Sequence, residues 1–364
     1  AQYIAAAFAS LRLRPGGGGD YFQRFTIDPT APAATHAGVG GVAAKNVVAI
    51  LPGTGDLAGQ AVVIGAHYDH LGRGGFGSLD PDSTGVIHNG ADDNASGTAG
   101  LLEIARLLGG RRASAARTVV FVAFAAEELG VIGSAHYVKH APHPIDSTCA
   151  MINLDMVGRL RAGNLTALGA ASAREFPALL DSLAAAHRLT VKGSGDGYGP
   201  SDQSSFFGAD IPVLHFFTGL HEDYHRTTDD ADKINAQGIA QVAEFAAALA
   251  WTLATRRAPL TFVDAQPPPP VVGGGSRPYL GTVPDMTESP GGVRLTGVRA
   301  GSPAEAAGVR AGDVLVQLGE HQIKNLYDME NALRAYQPGD SVVVGVLRDG
   351  RRLDLRAALG RRGG

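Results

Sequence analysis

The sequence predicts an α/β fold, in which a mostly parallel, mixed sheet is sandwiched by helices, followed by a small β-rich domain. Short apolar runs alternate with helical patterns up to about residue 258, which is typical of strands buried on both faces of a sheet. A proline run and a glycine run then interrupt the pattern, and this composition indicates a linker. We therefore expect a first domain at residues 1–260, a linker at 261–276 and a second domain at 277–360.

The first domain contains five predicted strands and four predicted helices. The strands are short and often β-branched, and they cover residues 46–51, 61–67, 118–125, 148–154 and 211–217. The helices are predicted at residues 95–108, 132–139, 173–187 and 237–254. In the second domain we expect strands at 292–298 and 341–347 and a helix at 327–336.

The composition narrows the class of protein. Hydrophobic residues make up 45% and charged residues 18%, so a large core can form and wholesale disorder is excluded. The net charge of −4 gives no strong basic field, so nucleic acid is not an expected partner. No apolar run approaches the roughly 20 residues of a membrane span. The single cysteine, Cys149, allows no internal disulfide and is expected to lie buried in a strand.

Histidine and acidic residues follow the predicted strands. His67 and Asp69 are two residues apart at a strand end, so Asp69 could accept the second ring N–H of a metal-binding His67. Asp92 and Asp93 precede a helix; they could cap it, or one carboxylate could bridge two metal ions.

Two further strands end in acids. Glu127 and Glu128 follow a long apolar run, where one could bind metal while the other takes a proton from water. Asp155 ends the next strand, and His225 follows the last one with Asp229 four residues on, placed to support it. The carboxyl ends of such strands are where sites form in open α/β sheets. Two imidazoles and three carboxylates suit zinc, and they are too many for one tetrahedral ion with an open position, which favours two ions.

Six segments in this order resemble the zinc-dependent exopeptidases of peptidase family M28, which include bacterial leucyl aminopeptidases: GAHYDH, GADDNASG, AAEELG, NLDMVG, GYGPSDQSSF and DYHRTTDD. The resemblance implies two zinc ions bridged by Asp92. It assigns Glu128 and His225 to one ion and His67 and Asp155 to the other. It also implies that Glu127 is the general base and that Tyr198 helps to hold the oxyanion.

Some positions depart from this pattern or invite a different interpretation. The family often has a histidine where this chain has Gln203, which affects substrate contacts more than the metal site. Supporting or surface roles, rather than ligation, are expected for the histidines near the motifs, namely His70, His88, His215 and His221.

The second domain resembles a bacterial PDZ domain. RPYLGTVPD resembles its carboxylate-binding loop, SPAEAAGVRAGDVLVQLGE its core signature and LYDMENALRAY its groove helix. The resemblance implies that an extended peptide could add a strand to the sheet edge, with the backbone at 279–282 binding a terminal carboxylate. The domain could also serve only to pack against the peptidase or to space it.

Together these features predict a metal-dependent aminopeptidase that removes the N-terminal residue from peptides or small proteins with a free N-terminus. Two alternatives stay open, a glutaminyl cyclase-like transferase with one zinc and a carboxypeptidase of the same family; a catalytically inactive receptor or scaffold is the alternative from another class. The family resemblance favours an extracytoplasmic location. Because the chain lacks an initiator Met and begins inside an amphipathic pattern, we expect that upstream sequence has been removed.

Overall fold

The computed structural model describes residues 1–30, 34, 37–75, 77–80, 83–111, 115–195, 197–199, 201–263, 278–284, 291–299, 301–324, 328–329, 332–333 and 335–361. The chain forms two compact units, Ala1–Ala265 and Gln266–Gly364. Of the expected linker at 261–276, only residues 261–263 belong to the described part.

A nine-stranded sheet forms the centre of the first unit. Its strands are β1 (Arg14–Pro15), β2 (Phe22–Thr26), β3 (Ala43–Leu51), β4 (Ala61–His67), β5 (Thr118–Phe124), β6 (Thr148–Leu154), β7 (Asn164–Leu168), β8 (Thr190–Ser194) and β9 (Val213–Phe217). The strand order is β1-β3-β5-β4-β6-β9-β7-β8, and β2 pairs with β3. The central strands β5, β4, β6 and β9 are mutually parallel, whereas β3 joins β5 and β7 joins β9 in antiparallel fashion. The sheet is therefore mixed, with a parallel centre.

Helices cover both faces of this sheet. They are α1 (Gln2–Ser10), α2 (Gly97–Gly109), α3 (Ile132–Lys139), α4 (Phe176–Ala184), α5 (Gln203–Phe207) and α6 (Ala236–Thr255), with short 3-10 turns at Gly55–Leu57, Ile145–Ser147, Ala170–Ser172, Ala185–His187 and Ala231–Lys233. An irregular segment, Ala91–Ser96, precedes α2 and contains non-helical backbone angles at Asp93 and Asn94.

Alternating residues of the central strands build two cores. Val62 and Ile64 of β4 point to the face that α1, α2, α4 and α6 cover, and Val63 points to the opposite face with Tyr137 of α3 and Phe206 of α5. Both faces are apolar, and every residue of β4 and β5 is buried. The continuous apolar runs of these strands therefore follow from burial on two sides.

Helix α6 is a core helix with the composition of a membrane span. An 18-residue window of this 20-residue helix has a mean hydropathy of 1.2, so α6 has the length and apolar character of a membrane span, which the sequence prediction did not recognise. Over half of that window is buried, and α6 packs Val242, Phe245 and Leu249 into the core beside α2. The side chain of Asn235 caps it by accepting the N–H of Gly238.

The second unit is built from short antiparallel strands. The strands are β10 (Pro278–Tyr279), β11 (Thr282–Pro284), β12 (Val293–Val298), β13 (Val314–Leu318), β14 (His321–Gln322), β15 (Ser341–Arg348), β16 (Arg351–Ala358) and β17 (Gly360–Arg361). The six-stranded sheet has the order β11-β12-β13-β15-β16 with β14 paired to β13, and β10 pairs with β17. The short helix α7 (Pro303–Ala306) begins at the cap residue Ser302. The predicted helix at 327–336 is described only at residues 328–329, 332–333 and 335–336.

Candidate metal and catalytic site

The parallel strands bring their polar ends to one edge of the sheet. His67 is the last residue of β4, Glu127 and Glu128 follow β5, and Asp155 follows β6. His225 lies eight residues beyond the end of β9. Because β5, β4, β6 and β9 are neighbours and parallel, these side chains meet above the same edge.

Two groups of ligand-type atoms share the carboxylate of Asp93. Nε2 of His67 lies 3.3 Å from Oδ1 of Asp93 and 3.3 Å from Oδ1 of Asp155. Nε2 of His225 lies 3.1 Å from Oδ2 of Asp93 and 3.2 Å from Oε2 of Glu128. One oxygen of Asp93 therefore faces each histidine.

Asp92, the bridging residue expected from the sequence, does not reach this cluster. Its Oδ1 accepts the N–H of Gly158 at 2.6 Å and its Oδ2 lies 3.0 Å from Nε2 of His221. The reason is local: Asp93 has φ −105° and ψ 88°, and Asn94 is also non-helical, so the side chain of Asp93 leaves the backbone in another direction from that of Asp92. Asp93 thus occupies the position that the sequence analysis gave to Asp92.

The hydrogen bonds of both histidines direct Nε2 toward the cluster. Nδ1 of His67 lies 3.1 Å from the carbonyl oxygen of Asp69, and Nδ1 of His225 lies 2.9 Å from that of Gly77. A carbonyl only accepts, so each Nδ1 carries the proton and each Nε2 is an acceptor when the ring is neutral. These acceptors face carboxylate oxygens. A second proton or a cation must lie between them, and this is the arrangement of a metal-binding histidine.

The carboxylate of Asp69 has a different role from the one predicted. It lies 3.9 Å from Nδ1 of His67, whose partner is instead the Asp69 carbonyl. Its two oxygens accept the backbone N–H groups of Glu127 at 3.2 Å and Glu128 at 3.3 Å. Burial, opposed by the charge of His67, raises the pKa of Asp69 to about 6. Asp69 therefore fixes the turn that presents the two glutamates.

The electrostatics of the cluster favour a cation. Burial disfavours the imidazolium of His67, yet the charges of Asp155 and Glu127 raise its pKa well above the ordinary value. His225 behaves in the same way, and Glu128 and Asp93 raise its pKa to about 10 against burial. The attraction of the carboxylates for a positive charge thus outweighs the cost of burying that charge.

Glu127 lies beside the two groups of ligand-type atoms but belongs to neither of them. Its Oε2 is 4.0 Å from Nε2 of His67, and its side chain is 10% exposed. Burial, together with the charges of Glu128 and Asp202 and against that of His67, raises the pKa of Glu127 well above its ordinary range. A partly accessible carboxyl with a raised pKa is suited to proton transfer.

The spacing of these atoms fits zinc. Bonds of about 2.0–2.1 Å in a tetrahedral arrangement place two ligand atoms about 3.3 Å apart. The four distances from the histidine Nε2 atoms to Asp93, Asp155 and Glu128 are 3.1–3.3 Å. Imidazole nitrogen with carboxylate oxygen is also a donor set that zinc accepts.

A tyrosine that the sequence analysis missed lies at the cluster. The ring of Tyr224 stacks on that of His225, with centroids 3.9 Å apart. Burial and the charges of Asp93 and Glu128 raise the pKa of Tyr224 well above its ordinary value, so its hydroxyl lies within the field of the cluster. The predicted Tyr198 packs its ring edge-on against Phe207, with centroids 4.6 Å apart. The sequence signal for Tyr224 is its position directly before the predicted ligand His225 in the EDYH segment.

A buried ion-pair network lies behind Asp93. Nη2 of Arg159 is 3.2 Å from Asp223 and 3.2 Å from Asp229. The other oxygen of Asp229 accepts the backbone N–H groups of Asp92 at 2.9 Å and Asp93 at 3.0 Å. The sequence analysis expected Asp229 to support His225; the structure shows it holding the backbone of the Asp92–Asp93 segment.

Gln203, where the sequence departs from the family pattern, links two strands beside the site. Its Oε1 accepts from the side-chain amide of Asn153 at 3.2 Å and lies 3.0 Å from Nδ1 of His215. Burial lowers the pKa of His215, so this buried ring stays neutral. Burial also raises the pKa of the adjacent Asp202 to about 7.

Strained backbone adjoins the cluster at three places. Ala126, Met156 and His225 have φ of 58°, 52° and 55°, values that residues with a side chain rarely adopt. Ala126 directly precedes Glu127, Met156 directly follows Asp155, and His225 is itself a predicted ligand. Such strain is common where a structure positions functional groups.

The family comparison decides the classification. Residues 46–250 match the model of peptidase family M28, and residues 278–359 match that of the PDZ domain. The first match covers more than half of the 364 residues. The chain belongs to peptidase family M28. The predicted family, fold class and C-terminal PDZ domain are therefore confirmed.

The M28 domain has named relatives in sequence and in structure. It is 29% identical to leucine aminopeptidase 1 of Uncinocarpus reesii over 229 residues, 57% of this chain and 54% of that relative. It resembles the structure of BSAP, a zinc aminopeptidase from Bacillus subtilis, with a TM-score of 0.50 and 25% identity, covering 60% of this chain and 52% of that one. Porphyromonas gingivalis glutaminyl cyclase has a TM-score of 0.54 at 19% identity, covering 68% and 87%, a likeness of fold alone. The extracytoplasmic location stays a prediction.

Proposed function

We propose that this M28 domain is an aminopeptidase that uses two zinc ions to hydrolyse the N-terminal peptide bond of its substrates. The observation that carries the proposal is the carboxylate of Asp93, whose two oxygens face the Nε2 atoms of His67 and His225. His67 and Asp155 would hold one ion, and His225 and Glu128 the other, with Asp93 between them. This set differs from the sequence prediction only in replacing Asp92 with Asp93.

The chain's own residues divide the work of hydrolysis. Bound zinc would supply Lewis-acid polarisation of the scissile carbonyl and activate water at neutral pH. Glu127 accepts the proton of the attacking water and returns it to the departing amine. Positive charge in the site favours the carboxylate form of Glu127 that this step needs. Asp69 keeps Glu127 and Glu128 in register by holding both of their backbone N–H groups.

Tyr224 is the better candidate for a donor to the developing oxyanion. Its ring is stacked on His225 and its hydroxyl lies in the field of the cluster. Burial keeps the phenol protonated, so it remains a hydrogen-bond donor at neutral pH. Tyr198, the residue that the family resemblance implies, stays the alternative.

Charge favours an aminopeptidase over a carboxypeptidase. The site is rich in carboxylates, which attract the α-ammonium group of a substrate. A carboxypeptidase needs a cation for the substrate carboxylate, and the cations near the cluster in the described segments are engaged: Arg159 with Asp223 and Asp229, Lys233 with Asp223, and Arg226 with Asp80. We therefore infer that substrates are recognised by a free N-terminus.

A glutaminyl cyclase is the second candidate because its fold is similar. The shared Asp93 argues for two ions, whereas the cyclase alternative uses one. Elemental analysis gives the number of zinc ions per chain, and parallel assays with an aminoacyl amide and with a peptide beginning in Gln distinguish release of an amino acid from cyclisation. Two zinc ions with chelator-sensitive release of the N-terminal residue support the proposal. One zinc with cyclisation alone contradicts it.

The PDZ domain is proposed to bind the C-terminus of a peptide. Its strand β11 lies at the edge of the six-stranded sheet, paired on one side with β12. Such an edge can accept a peptide as an added strand. Isothermal titration of the whole chain with a C-terminal peptide and with the same peptide amidated tests this, because only the free carboxylate should bind.

A further inference from the structure

We infer that His70 is a positioning residue that holds Glu128 in the orientation needed for one of the two metal ions. The inference rests on the proposed function, and it concerns a histidine for which the sequence predicted only a supporting or surface role. Three observations carry it: a hydrogen bond, a distance typical of that bond, and a glycine that makes room for the ring.

The hydrogen bond joins His70 to the side of Glu128 that faces away from His225. Nδ1 of His70 lies 2.9 Å from Oε1 of Glu128, while Oε2 of Glu128 lies 3.2 Å from Nε2 of His225. Because a carboxylate accepts, Nδ1 of His70 donates. Each oxygen of Glu128 therefore has its own partner, and the carboxylate cannot rotate without losing one.

The distance argues that His70 supports a ligand instead of acting as one. Two atoms bound to the same tetrahedral zinc lie about 3.3 Å apart, whereas 2.9 Å is an ordinary length for an N–H···O hydrogen bond. The Nδ1 proton also occupies the lone pair that a metal would need. Nδ1 of His70 is 3.9 Å from Oδ2 of Asp93, too far for a second hydrogen bond.

Gly90 provides the space for the His70 ring. It has φ of +60°, and a Cβ at this position would lie 2.2 Å from the carbonyl oxygen of Asp93 and 2.5 Å from Cγ and 2.6 Å from Cδ2 of His70. The ring therefore packs against the bare Cα of Gly90, in the segment that leads directly to Asp93. The side chain of His70 is only 9% exposed, so it has little freedom to move elsewhere.

The segment from His67 to His70 thus supports the site at three levels. His67 directs Nε2 into the cluster, Asp69 holds the backbone of Glu127 and Glu128, and His70 holds the carboxylate of Glu128. Loss of His70 should affect the ion near His225 and Glu128 and spare the ion near His67 and Asp155. Outer hydrogen bonds of this kind typically change metal affinity about 10–100-fold.

The test is a stepwise titration of the metal-free chain with zinc in a competing chelator, and with Co²⁺ followed by visible absorption. H70A should weaken one of two binding steps about 10–100-fold and leave the other within about threefold. H70N can place an amide N–H near the position of Nδ1 and should recover much of the affinity. H70Q, whose amide lies farther along the side chain, should not.

A second measurement removes doubt about misfolding. Far-UV circular dichroism and urea unfolding of the metal-free H70A and H70N chains should match those of the wild type, because the substitutions leave the backbone of the site in place. The inference is overturned if H70A leaves both steps unchanged, weakens both equally, or is not rescued by H70N. If the wild-type chain itself binds fewer than two ions, the proposed function fails instead, so the two failures are distinguishable.

Discussion

Nε2 of His225 lies 3.1 Å from Oδ2 of Asp93, whereas the carboxylate of the preceding residue, Asp92, is bound to Gly158 and His221. Two adjacent aspartates thus have separate tasks. Asp93 faces both histidines, and Asp92 fixes the loop that follows β6.

The first prediction separates these tasks. D93N should lose both zinc ions at micromolar concentrations, because the two groups share this carboxylate. D92N preserves the acceptor for Gly158 and should retain two ions, with affinity reduced no more than about 10–100-fold. Zinc content after gel filtration, followed by competitive titration, measures both. Equal loss of zinc in the two variants would contradict the assignment.

The second prediction concerns the general base. E127Q should lower kcat about 10²–10⁴-fold, because the amide cannot take a proton from water, while zinc content stays at the wild-type value. E244Q is the matched control, since Glu244 is exposed on α6. A near-normal kcat in E127Q, or a loss of zinc that explains its inactivity, would remove Glu127 from this role.

The third prediction distinguishes the two tyrosines. Y224F should reduce kcat about 10²–10³-fold with a smaller change in KM, as expected for a donor that acts on the developing oxyanion. Y198F should have a smaller effect than Y224F, because it preserves the packing of the Tyr198 ring against Phe207. Steady-state kinetics on one aminoacyl amide with both variants provides the comparison. The reverse order of effects would restore Tyr198 as the oxyanion donor.

The edge of the sheet at which the site forms was accessible to sequence analysis. β4, β5 and β6 are continuous apolar runs; His67 ends the first, and Glu127 and Asp155 follow the other two. One pattern therefore showed the strands, their burial and the polar residues at their ends. The outer strands were not visible. β1 has two residues and β8 has no buried residue, so neither produces an apolar run.

The choice between Asp92 and Asp93 depended on backbone geometry. A sequence shows two neighbouring carboxylates but not the non-helical angles at Asp93 that separate their directions. The same limit applies to Asp69 and Asp229. Both were predicted to support a histidine, yet backbone carbonyls lie beside the ring Nδ1 atoms and the two carboxylates accept backbone N–H groups instead. Every residue has a backbone carbonyl, so the sequence does not show which one accepts the ring N–H of a histidine.

The fourth prediction concerns pH and Asp223. Burial opposes its charge, but hydrogen bonds from Lys233, Thr228 and Arg159 outweigh burial and lower the pKa of Asp223 to about 2. The folded pKa lies below the unfolded value of about 3.9, so the stabilisation is fully present above that value and is lost as the pH falls toward 2.

Unfolding of the metal-free chain by urea at pH 3, 4, 5 and 7 checks this. The difference in free energy of unfolding between wild type and D223N should be constant from pH 5 to 7 and should shrink below pH 4. Trp251, the only tryptophan, lies in α6 and reports on the first unit alone. A difference that stays constant down to pH 3 would show that Asp223 is not held in its charged form.

The fifth prediction concerns Arg159, whose guanidinium holds two carboxylates behind the site. Its side chain is 10% exposed and that of Asp229 is fully buried, so R159M leaves a buried charge without its partner. We expect a loss of about 3 kcal/mol in the free energy of unfolding, at the lower end for a broken buried pair, because Asp229 keeps two backbone N–H donors. R257M is the matched control, since Arg257 and Asp56 form an exposed pair and such pairs contribute about 0–1 kcal/mol. Zinc affinity should fall in R159M alone, because Asp229 holds the backbone of Asp93. Unchanged affinity in a destabilised R159M would show that the network supports the fold and not the metal site.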